Sequence, residues 1–408
     1  MLSLNVDFHI HSKYSGGTSQ QMELPTIASQ AQLKGLEIVG TGDALHNAWL
    51  EHIKEMLREE GEGIYIYPTT NTRFIITGEV EDIKRVHHLI LFPSLSSAED
   101  MHEKIKGKSV DLDQDGRPHV QLNGEELVDI AKDSGALIGP AHAFTPWTAI
   151  YKEYRSLREC YGDQLSKIHF LELGLSADTE MADRIEELQN ITFMSNSDAH
   201  SPWPHRLGRE FNRLVVKDFS FREITKAIKR EQGRGFSLNV GLNPLEGKYH
   251  KTACTRCYLH FLKEDAIALK LRCPECGGLI KIGVADRIEE LASWKSPHHP
   301  SHRPPYIHIL PLAEIIALAY NTHNLNSKRV REKWTQLVKS FGSEIKVLLD
   351  VDVGEIKKVD ARVGEVIENF RKDKVRYIPG GGGKYGTPTL GAVKERVWGQ
   401  GQRKLSEF

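Results

Sequence analysis

Short apolar runs alternate with amphipathic stretches through the first 245 residues of this 408-residue chain. The apolar runs predict strands at residues 4–8, 36–41, 72–78, 88–92, 136–140, 168–173 and 191–195. Helical spacing of apolar residues predicts helices at 22–34, 50–60, 124–133, 179–188 and 221–231. Alternating strands and helices indicate an α/β fold with a parallel sheet and right-handed crossovers, and about seven such units predict a barrel.

Side chains that can bind metal ions follow most of the predicted strands. In chain order they are Asp7, His9 and His11, then Asp43, Glu79, His142, Glu172, Asp198 and His200. In parallel barrels the active site lies at the C-terminal ends of the strands, so these groups should share one face. Asp7-x-His9-x-His11 puts its two imidazoles on the same side of an extended strand. One such residue alone would indicate only a core histidine or a helix cap, but together they predict a metal centre.

The fourth predicted strand is an exception, because His87 and His88 precede its apolar run instead of following it. Either the strand boundary lies elsewhere, or the ligand comes from the other end of that segment.

Mixed imidazole and carboxylate ligands suit Zn²⁺, Mn²⁺ or iron, and their number here exceeds the needs of one ion. We therefore expect two or three divalent ions (Zn²⁺, Mn²⁺ or Mg²⁺), with Glu79 able to bridge them. Two ions about 4 Å apart can clamp the attacking and leaving oxygens of a phosphoryl displacement and acidify a bound water.

These motifs resemble those of the PHP family (polymerase and histidinol phosphatase). They read Asp7-Phe-His9-Ile-His11, Thr41-Gly-Asp43, Glu79, His88-Leu, His142 and Asp198-Ala-His200. The resemblance implies a distorted (β/α)7 barrel over residues 1–245 and a multinuclear site that hydrolyses phosphoesters. It implies that the metal ligands include His9, His11, Asp43, Glu79, His88, His142, Asp198 and His200. The position of Glu172 near a strand end adds it to the predicted ligands, and Asp198, Glu79 and His142 are predicted to be catalytic. Many members carry a further His or Asp where this chain has Ser15-Gly-Gly-Thr18.

Four of the five cysteines form two C-x-x-C pairs, Cys254 with Cys257 and Cys273 with Cys276, separated by 15 residues. Two such pairs can place four thiolates around one tetrahedral Zn²⁺, which would be structural because no coordination position stays open. Redox-active or incidental cysteines are the alternative. We predict a small zinc-ribbon-like domain at 246–300, too small to be held by an apolar core alone.

Charge is distributed unevenly although the net charge is only −1. Residues 1–245 carry 26 Lys and Arg against 36 Asp and Glu, whereas residues 321–408 carry 18 against 11. An acidic front suits cation binding and a basic rear suits a polyanion such as nucleic acid, although ordinary surface variation gives similar imbalances. Apolar spacing predicts a mainly helical domain at 301–408, and the glycines before Lys384 form either a phosphate-binding loop or a flexible linker.

The order of a PHP barrel, a four-cysteine module and a basic helical tail is similar to that of the endonuclease Q family of DNA-repair nucleases. This resemblance implies hydrolysis of the phosphodiester 5′ to a deaminated base (uracil, hypoxanthine or xanthine) or an abasic site, leaving a 3′-hydroxyl and a 5′-phosphate. The expected partner is damaged DNA, with replication or repair proteins as further candidates. The alternatives are a histidinol-phosphate-type phosphatase, a PHP exonuclease acting on DNA ends, and a non-enzymatic DNA-binding protein.

Pocket residues are predicted from the loops that carry the ligands: Tyr14, Ser176 and Asn196, joined by Lys384 from the tail. No apolar run approaches the ~20 residues of a membrane span, and the N-terminus lacks the features of a signal peptide. A cytoplasmic protein without a membrane partner is therefore expected.

Overall fold

The computed structural model describes residues 1–391 together with Val397 and Trp398. The strands are β1 (Leu2–Asp7), β2 (Ile38–Gly40), β3 (Arg58–Gly61), β4 (Ile64–Ile66), β5 (Arg73–Glu81), β6 (His87–Phe92), β7 (Leu137–Pro140), β8 (Phe170–Glu172), β9 (Thr192–Met194), β10 (Phe211–Val216), β11 (Gly235–Gly241), β12 (Ala253–Cys254), β13 (Ile280–Lys281), β14 (Tyr306–His308), β15 (Arg376–Ile378) and β16 (Thr387–Thr389). The helices are α1 (Leu24–Lys34), α2 (Asn47–Met56), α3 (Leu95–Ile105), α4 (Gly124–Asp133), α5 (Ile150–Glu153), α6 (Leu157–Tyr161), α7 (Thr179–Ala182), α8 (Phe221–Lys229), α9 (Lys263–Ala268), α10 (Val284–Leu291), α11 (Leu312–Ala319), α12 (Lys328–Phe341), α13 (Val353–Val359) and α14 (Ala361–Arg371).

The central sheet is mixed. Strands β1, β2 and β5 run parallel, as do β8 and β9 in a separate pair. Strand β10 is antiparallel to β1, β11 is antiparallel to β10, and β6 is antiparallel to both β5 and β7. The prediction of an α/β fold is confirmed, whereas the expectation of a purely parallel sheet is wrong.

The antiparallel pairing of β5 and β6 follows from their short connection. Only residues 82–86 join the two strands, and a parallel pair would need a crossover of a dozen or more residues. Asp82 stabilises the turn, because its Oδ1 accepts hydrogen bonds from Lys84 N and Val86 N, both at 2.8 Å. The start of β6 consequently lies beside the end of β5, where Glu81 pairs with His87.

An apolar core packs between the strands of the sheet. It is one buried cluster whose members come from β1, β2, β5, β6, β8, β9 and β10, including Val6, Ile38, Ile75, Leu89, Phe170, Met194 and Leu214. Side chains from so many strands meet in one cluster when a sheet curves around its own interior. This packing supports the predicted barrel, whose closure stays a prediction.

Helix α2 is shorter than the helix predicted at 50–60. It begins at Asn47 and ends at Met56, and the following residues form the hairpin of β3 and β4. Glu59 and Glu60 are both exposed and Ile64 and Tyr65 are both buried, so these residues lack the alternation by which a short strand is recognised in a sequence.

The chain returns to the main sheet after the cysteine-rich segment. Strand β14 pairs in parallel with β11, although residues 301–408 are predicted to form a separate helical domain. Helices α11 to α14 then pack together, and the β15–β16 hairpin follows. The predicted boundaries at 245 and 300 stay predictions, and the end of the tail lies outside the described residues. Among the described helices, none is both long and apolar enough to cross a membrane.

Candidate active site

The ends of β1 and β5 and the segment after β9 bring four side chains together. His9 Nε2 lies 3.6 Å from Glu79 Oε1 and 3.8 Å from Asp198 Oδ1. His11 Nε2 lies 3.4 Å from Glu79 Oε2 and 3.3 Å from Asp198 Oδ1. Ligands about 2.1 Å from a tetrahedral ion are separated by roughly 3.4 Å. These spacings therefore fit divalent ions held between the imidazoles and the carboxylates.

The two imidazoles provide an independent test of that fit. His9 Nε2 and His11 Nε2 are buried, and neither has a hydrogen-bond partner among the residues that the structure describes. Buried ring nitrogens are normally paired, because an unpaired polar atom in the interior costs about 1–3 kcal/mol. Two such nitrogens facing the same carboxylates are what a metal site would require, because a bound ion would satisfy both of them.

Glu79 also belongs to a second group. Its Oε1 lies 3.0 Å from His87 Nδ1 and 3.0 Å from His142 Nε2, and those two nitrogens are 3.2 Å apart. Asp198 and His200 form a third group with His11, in which the rings of His11 and His200 are centred 4.5 Å apart. Glu79 and Asp198 therefore lie where carboxylates would bridge neighbouring ions.

Imidazoles and carboxylates shift each other's pKa in this site. Burial opposes a positive charge on His9, but Glu172 and Glu79 outweigh it and raise the His9 pKa well above its ordinary value. Burial likewise opposes ionisation of Glu79, but His87 and His9 hold the pKa of that carboxyl well below its usual range. The site keeps its carboxylates ionised and favours positive charge beside them, as a divalent cation requires.

Asp43 and Glu172, both predicted as ligands, contact the opposite side of the imidazole rings. Asp43 Oδ1 lies 3.0 Å from His11 Nδ1, and its Oδ2 accepts from Ser12 N at 2.6 Å. Glu172 Oε2 lies 2.8 Å from His9 Nδ1. A carboxylate that accepts from Nδ1–H fixes the tautomer and points Nε2 at the metal. The geometry therefore favours orienting roles over direct ligation.

His87, and not the predicted His88, faces this centre. Because β6 is antiparallel to β5, His87 lies beside Glu79 and His142. His88 points to the other face of the strand, where its Nδ1 lies 2.9 Å from Tyr161 Oη and its Nε2 lies 3.2 Å from Asp82 Oδ2. Adjacent strand residues face opposite sides of a sheet, so only one of the two histidines can reach the centre.

Three site residues have left-handed backbone conformations. The φ angles of Asp43, His142 and Asp198 are +50°, +27° and +47°. Each such non-glycine conformation costs of order 1–3 kcal/mol and persists where the surrounding structure imposes it. The strain coincides with the carboxylates and imidazole that the sequence places at strand ends.

A cavity of about 550 Å³ opens beside the centre. Three parts of the chain line it. The first comprises residues at the strand ends, such as His142 and Asp198; the second is Lys248 and Tyr249 before the cysteines; the third is Tyr385 from the β15–β16 hairpin. Its walls include four cationic and three aromatic side chains: Arg117, Arg206, Arg209, Lys248, Trp147, Tyr249 and Tyr385. Such walls suit a negatively charged ligand with a flat ring.

Only two of the four predicted pocket residues line the cavity. Ser176 and Asn196 line the cavity. The Asn196 amide is already engaged, because its Nδ2 donates to Glu172 Oε2 at 3.0 Å and its Oδ1 accepts from Phe8 N at 3.1 Å. Tyr14 stacks on His46 with ring centroids 4.4 Å apart, and Lys384 Nζ lies 5.8 Å from the ring centroid of Tyr258. Tyr249 and Tyr385 line the cavity whereas Tyr14 and Lys384 do not, and a substrate contact by the latter two stays a prediction.

The tetraglycine beside Lys384 packs against the cysteine-rich segment. A Cβ on Gly382 would lie 2.3 Å from Cys254 O, and Gly382 has a φ of +63°. Glycine is required at this contact by space and by backbone conformation. The loop therefore positions the hairpin, and with it Tyr385, against the four-cysteine module.

The four predicted zinc ligands converge. Cys254 Sγ lies 3.4 Å from Cys276 Sγ, Cys257 Sγ lies 3.6 Å from Cys273 Sγ, and all four sulfurs lie within 4.8 Å of one another. Sulfurs bound about 2.3 Å from a tetrahedral Zn²⁺ are separated by roughly 3.8 Å. The donor set and the spacing fit a structural zinc site with four thiolate ligands.

Residues 311–374 match the family model described as the MJ0043 C-terminal domain. The uncharacterized protein MJ0043 of Methanocaldococcus jannaschii is 47% identical over 250 residues, which are 60% of this chain and 31% of that protein. The chain thus spans about a third of the length of that relative.

Two solved structures resemble nearly the whole chain. The crystal structure of the lesion-specific endonuclease PfuEndoQ from Pyrococcus furiosus has a TM-score of 0.90 at 49% identity, covering 95% of this chain and 96% of that one. A structure of endonuclease Q in complex with a 27-mer duplex substrate, with an abasic lesion at the active site, has a TM-score of 0.91 at 48% identity, covering 96% and 97%. Identity near one half over the full length of both chains establishes that the present chain belongs to the endonuclease Q family.

Proposed function

We propose that the chain is a metal-dependent endodeoxyribonuclease that hydrolyses the phosphodiester 5′ to a damaged nucleotide in duplex DNA. The observation that supports this proposal is the cavity in which groups of His, Asp and Glu side chains that could hold metal ions lie beside cationic and aromatic residues. A site for small phosphate esters would not need walls from the segments before and after the four-cysteine cluster. The related endonuclease Q structure with an abasic duplex supports the same substrate class.

The residues that line the cavity would contact different parts of a DNA substrate. Arg206 and Lys248 line the cavity and would contact phosphates beside the damaged nucleotide. Trp147 and Tyr249 pack edge to face with centroids 5.9 Å apart, and Tyr385 lines the same cavity. A nucleotide that has left the stack would be held between such rings, and a mispaired or abasic nucleotide leaves the stack most easily.

The metal-binding side chains assign the chemistry. His9, His11, Glu79, His87, His142, Asp198 and His200 would hold two or three divalent ions. Such ions would acidify a water and neutralise the charge that develops on the phosphate. His200 Nδ1 lies 2.9 Å from Asp198 O, so Nδ1–H donates there and Nε2 keeps its lone pair for the centre.

The proposed activity extends to several kinds of damaged nucleotide. We propose that uracil, hypoxanthine, xanthine and abasic sites are cut, with a 3′-hydroxyl and a 5′-phosphate as products. An open cavity with stacking walls tolerates several bases and also the absence of a base. The Ser176 hydroxyl remains the proposed polar contact to a base edge.

One assay separates the candidate functions. Hairpin-capped duplexes without free ends, each carrying one uracil, hypoxanthine or abasic site, are incubated with Mn²⁺ or Mg²⁺ and compared with undamaged duplex and with EDTA. We expect one metal-dependent nick immediately 5′ to the lesion. Cleavage only after the caps are removed would identify an exonuclease. Phosphate release from p-nitrophenyl phosphate without any nick would identify a small-molecule phosphatase and overturn the proposal.

A further inference from the structure

Arg117 is a cationic residue inside the metal-binding centre that the predicted ligand set does not explain. Its Nη1 lies 3.5 Å from Glu79 Oε2, and it lines the cavity together with His87, His142 and Asp198. Its side chain is 23% exposed, and the buried Nε has no hydrogen-bond partner within the described part of the chain. The guanidinium therefore contacts Glu79 only at the 3.5 Å limit of a hydrogen bond and keeps an unpaired donor at Nε.

The backbone on both sides of Arg117 is fixed by the site. Gly116 N donates to Tyr14 O at 3.1 Å, and a Cβ on Gly116 would lie 2.3 Å from Asp43 Oδ2. Glu81 N donates to Pro118 O at 3.0 Å, which ties the following residue to the end of β5. Only glycine fits beside Asp43, so the loop approaches the centre closely immediately before Arg117.

Asp115 orders the same loop from the solvent side. Its Oδ1 accepts from Arg117 N at 3.0 Å and from Gly16 N at 3.4 Å. The guanidinium is thus carried by a loop that is bonded to the segment after β1 and to β5. Fixing a long arginine side chain in one position costs conformational entropy. That cost is offset when the fixed guanidinium binds a ligand in a defined geometry.

A fixed cation beside metal ligands has an electrostatic cost. It repels the divalent ions that Glu79 and Asp198 would bind, and so it weakens metal binding. The repulsion disappears when an anion lies between the guanidinium and the ions. A phosphodiester in the cavity is such an anion, and its two non-bridging oxygens match the paired donors of a guanidinium.

We infer that Arg117 binds the non-bridging oxygens of the scissile phosphate and stabilises the charge that develops on them during hydrolysis. This inference rests on the proposed nuclease function. In the reaction the water oxygen bonds to phosphorus, the bond between phosphorus and O3′ breaks, and O3′ takes up a proton. Arg117 keeps its proton throughout and contributes hydrogen bonds that strengthen as the phosphate becomes more negative.

The test compares Arg117→Ala and Arg117→Lys with Arg222→Ala, which removes the same charge from an exposed position on α8. On lesion duplex we expect Arg117→Ala to lower kcat by about 10²- to 10³-fold with little change in DNA affinity measured in EDTA. Lysine should restore only part of the rate because it lacks the paired donors. Free guanidinium should partly rescue the alanine variant and leave Arg222→Ala unchanged.

Two further readouts keep the inference falsifiable. A methylphosphonate at the scissile position removes one anionic oxygen, so the rate ratio of wild type to Arg117→Ala should shrink on that substrate. Mn²⁺ affinity of the Arg117→Ala protein should equal or exceed that of the wild type. An unchanged kcat, or a rate loss explained by lost metal, would overturn the role of Arg117. A wild-type protein that cuts no lesion duplex would instead overturn the proposed function, whatever Arg117 does.

Discussion

Lys34 and Glu344 form an ion pair that joins the sheet-containing part of the chain to the C-terminal helices. Lys34 Nζ donates to Glu344 Oε1 at 2.7 Å, and the two side chains are 2% and 0% exposed. Lys34 Nζ also donates to Pro204 O at 2.8 Å, in the loop that follows His200. Glu344 Oε2 accepts from Trp334 Nε1 at 2.6 Å. The pair therefore connects α12 to a loop that borders the candidate active site.

Removal of one partner should destabilise the protein strongly. We expect Lys34→Met or Glu344→Gln to lower the free energy of unfolding by about 3–5 kcal/mol, because each leaves a buried group without its counter-charge or donor. The double variant Lys34→Met, Glu344→Gln should recover much of that loss, because it removes both charges and keeps an amide oxygen as an acceptor for the buried donors. Urea denaturation measures the change, and Lys54→Met, at an exposed ion pair with Glu51, is the control. Single variants as stable as the control would contradict the assigned role.

Asp198→Asn tests the metal centre with minimal disturbance of the backbone. Asparagine tolerates the left-handed conformation that Asp198 adopts, so the fold should be retained. Loss of the carboxylate removes a shared ligand, and cleavage of lesion duplex should fall by at least about a thousandfold. DNA affinity, measured by fluorescence anisotropy in EDTA, should stay within a few-fold of the wild type. Persistent cleavage by a correctly folded variant would exclude Asp198 from the centre.

The order of apolar runs allowed the α/β class and most strand positions to be predicted, because strands with buried faces need such runs. Apolar runs alone do not show whether two neighbouring strands are parallel or antiparallel. Residues 82–86 look like any short turn, and only their length forces β6 to run antiparallel and to direct His87 toward Glu79. The ligand-bearing strand ends were visible because histidine and carboxylate are unusual there.

The cavity walls were harder to predict than the ligands. Tyr249 and Tyr385 reach the site from segments separated by more than a hundred residues, through packing of the glycine loop on the four-cysteine module. Arg117 follows Asp115 and Gly116 in a loop, where arginine is ordinary, and the loop is held by contacts with Asp43 and Glu81, which are distant in sequence. The sequence Asp115-Gly116-Arg117 predicts a turn, but it gives no indication that Arg117 has a function.

Cys257→Ser should release the structural ion and disturb the cavity. Loss of one thiolate from a set of four weakens zinc binding, and metal binding to such a segment is coupled to its folding. We expect one equivalent less zinc in purified protein and faster proteolysis within residues 246–292. Cleavage should also weaken because the glycine loop and Tyr385 lose their support. The control is Cys160→Ala, which removes a cysteine outside the four-cysteine cluster. Equal zinc content in the two variants would contradict the assignment of the four thiolates to zinc.

Glu210 should make stability depend on pH. Burial raises the pKa of this carboxyl to about 8, while its Oε1 accepts from Leu242 N at 3.0 Å. An unfolded chain releases this proton near pH 4.5, whereas the folded protein keeps it up to about pH 8. The group therefore lowers the free energy of unfolding as pH rises, by about 1.4 kcal/mol per pH unit between those values.

Glu210→Gln keeps the acceptor and removes the titration. Its stability should exceed that of the wild type increasingly from pH 5 to pH 8, and the difference should level off above pH 8. Thermal or urea denaturation across this range measures the slope, with exposed Glu51→Gln as the control. A wild-type slope unchanged by the substitution would show that other groups carry the pH dependence.

The neighbours His87 and His88 offer a matched pair for the metal centre. His87→Ala removes a nitrogen 3.0 Å from Glu79 Oε1, so metal content and lesion cleavage should both fall. His88→Ala removes the contacts with Tyr161 and Asp82, which lie away from the centre. Its effect should be a loss of stability of about 1–3 kcal/mol from unpaired buried groups, with metal content retained.

Metal analysis together with thermal denaturation distinguishes these two outcomes in the same pair of proteins. Loss of metal in the His88 variant, with metal retained in the His87 variant, would reverse the assignment and require β6 to present its other face. Equal losses in both would mean that the strand itself is displaced by either substitution. The expected separation follows from the alternation of side chains on a strand and from the antiparallel register of β5 and β6. Two adjacent histidines are thus expected to have different roles, His87 beside the candidate metal ligands and His88 in the core.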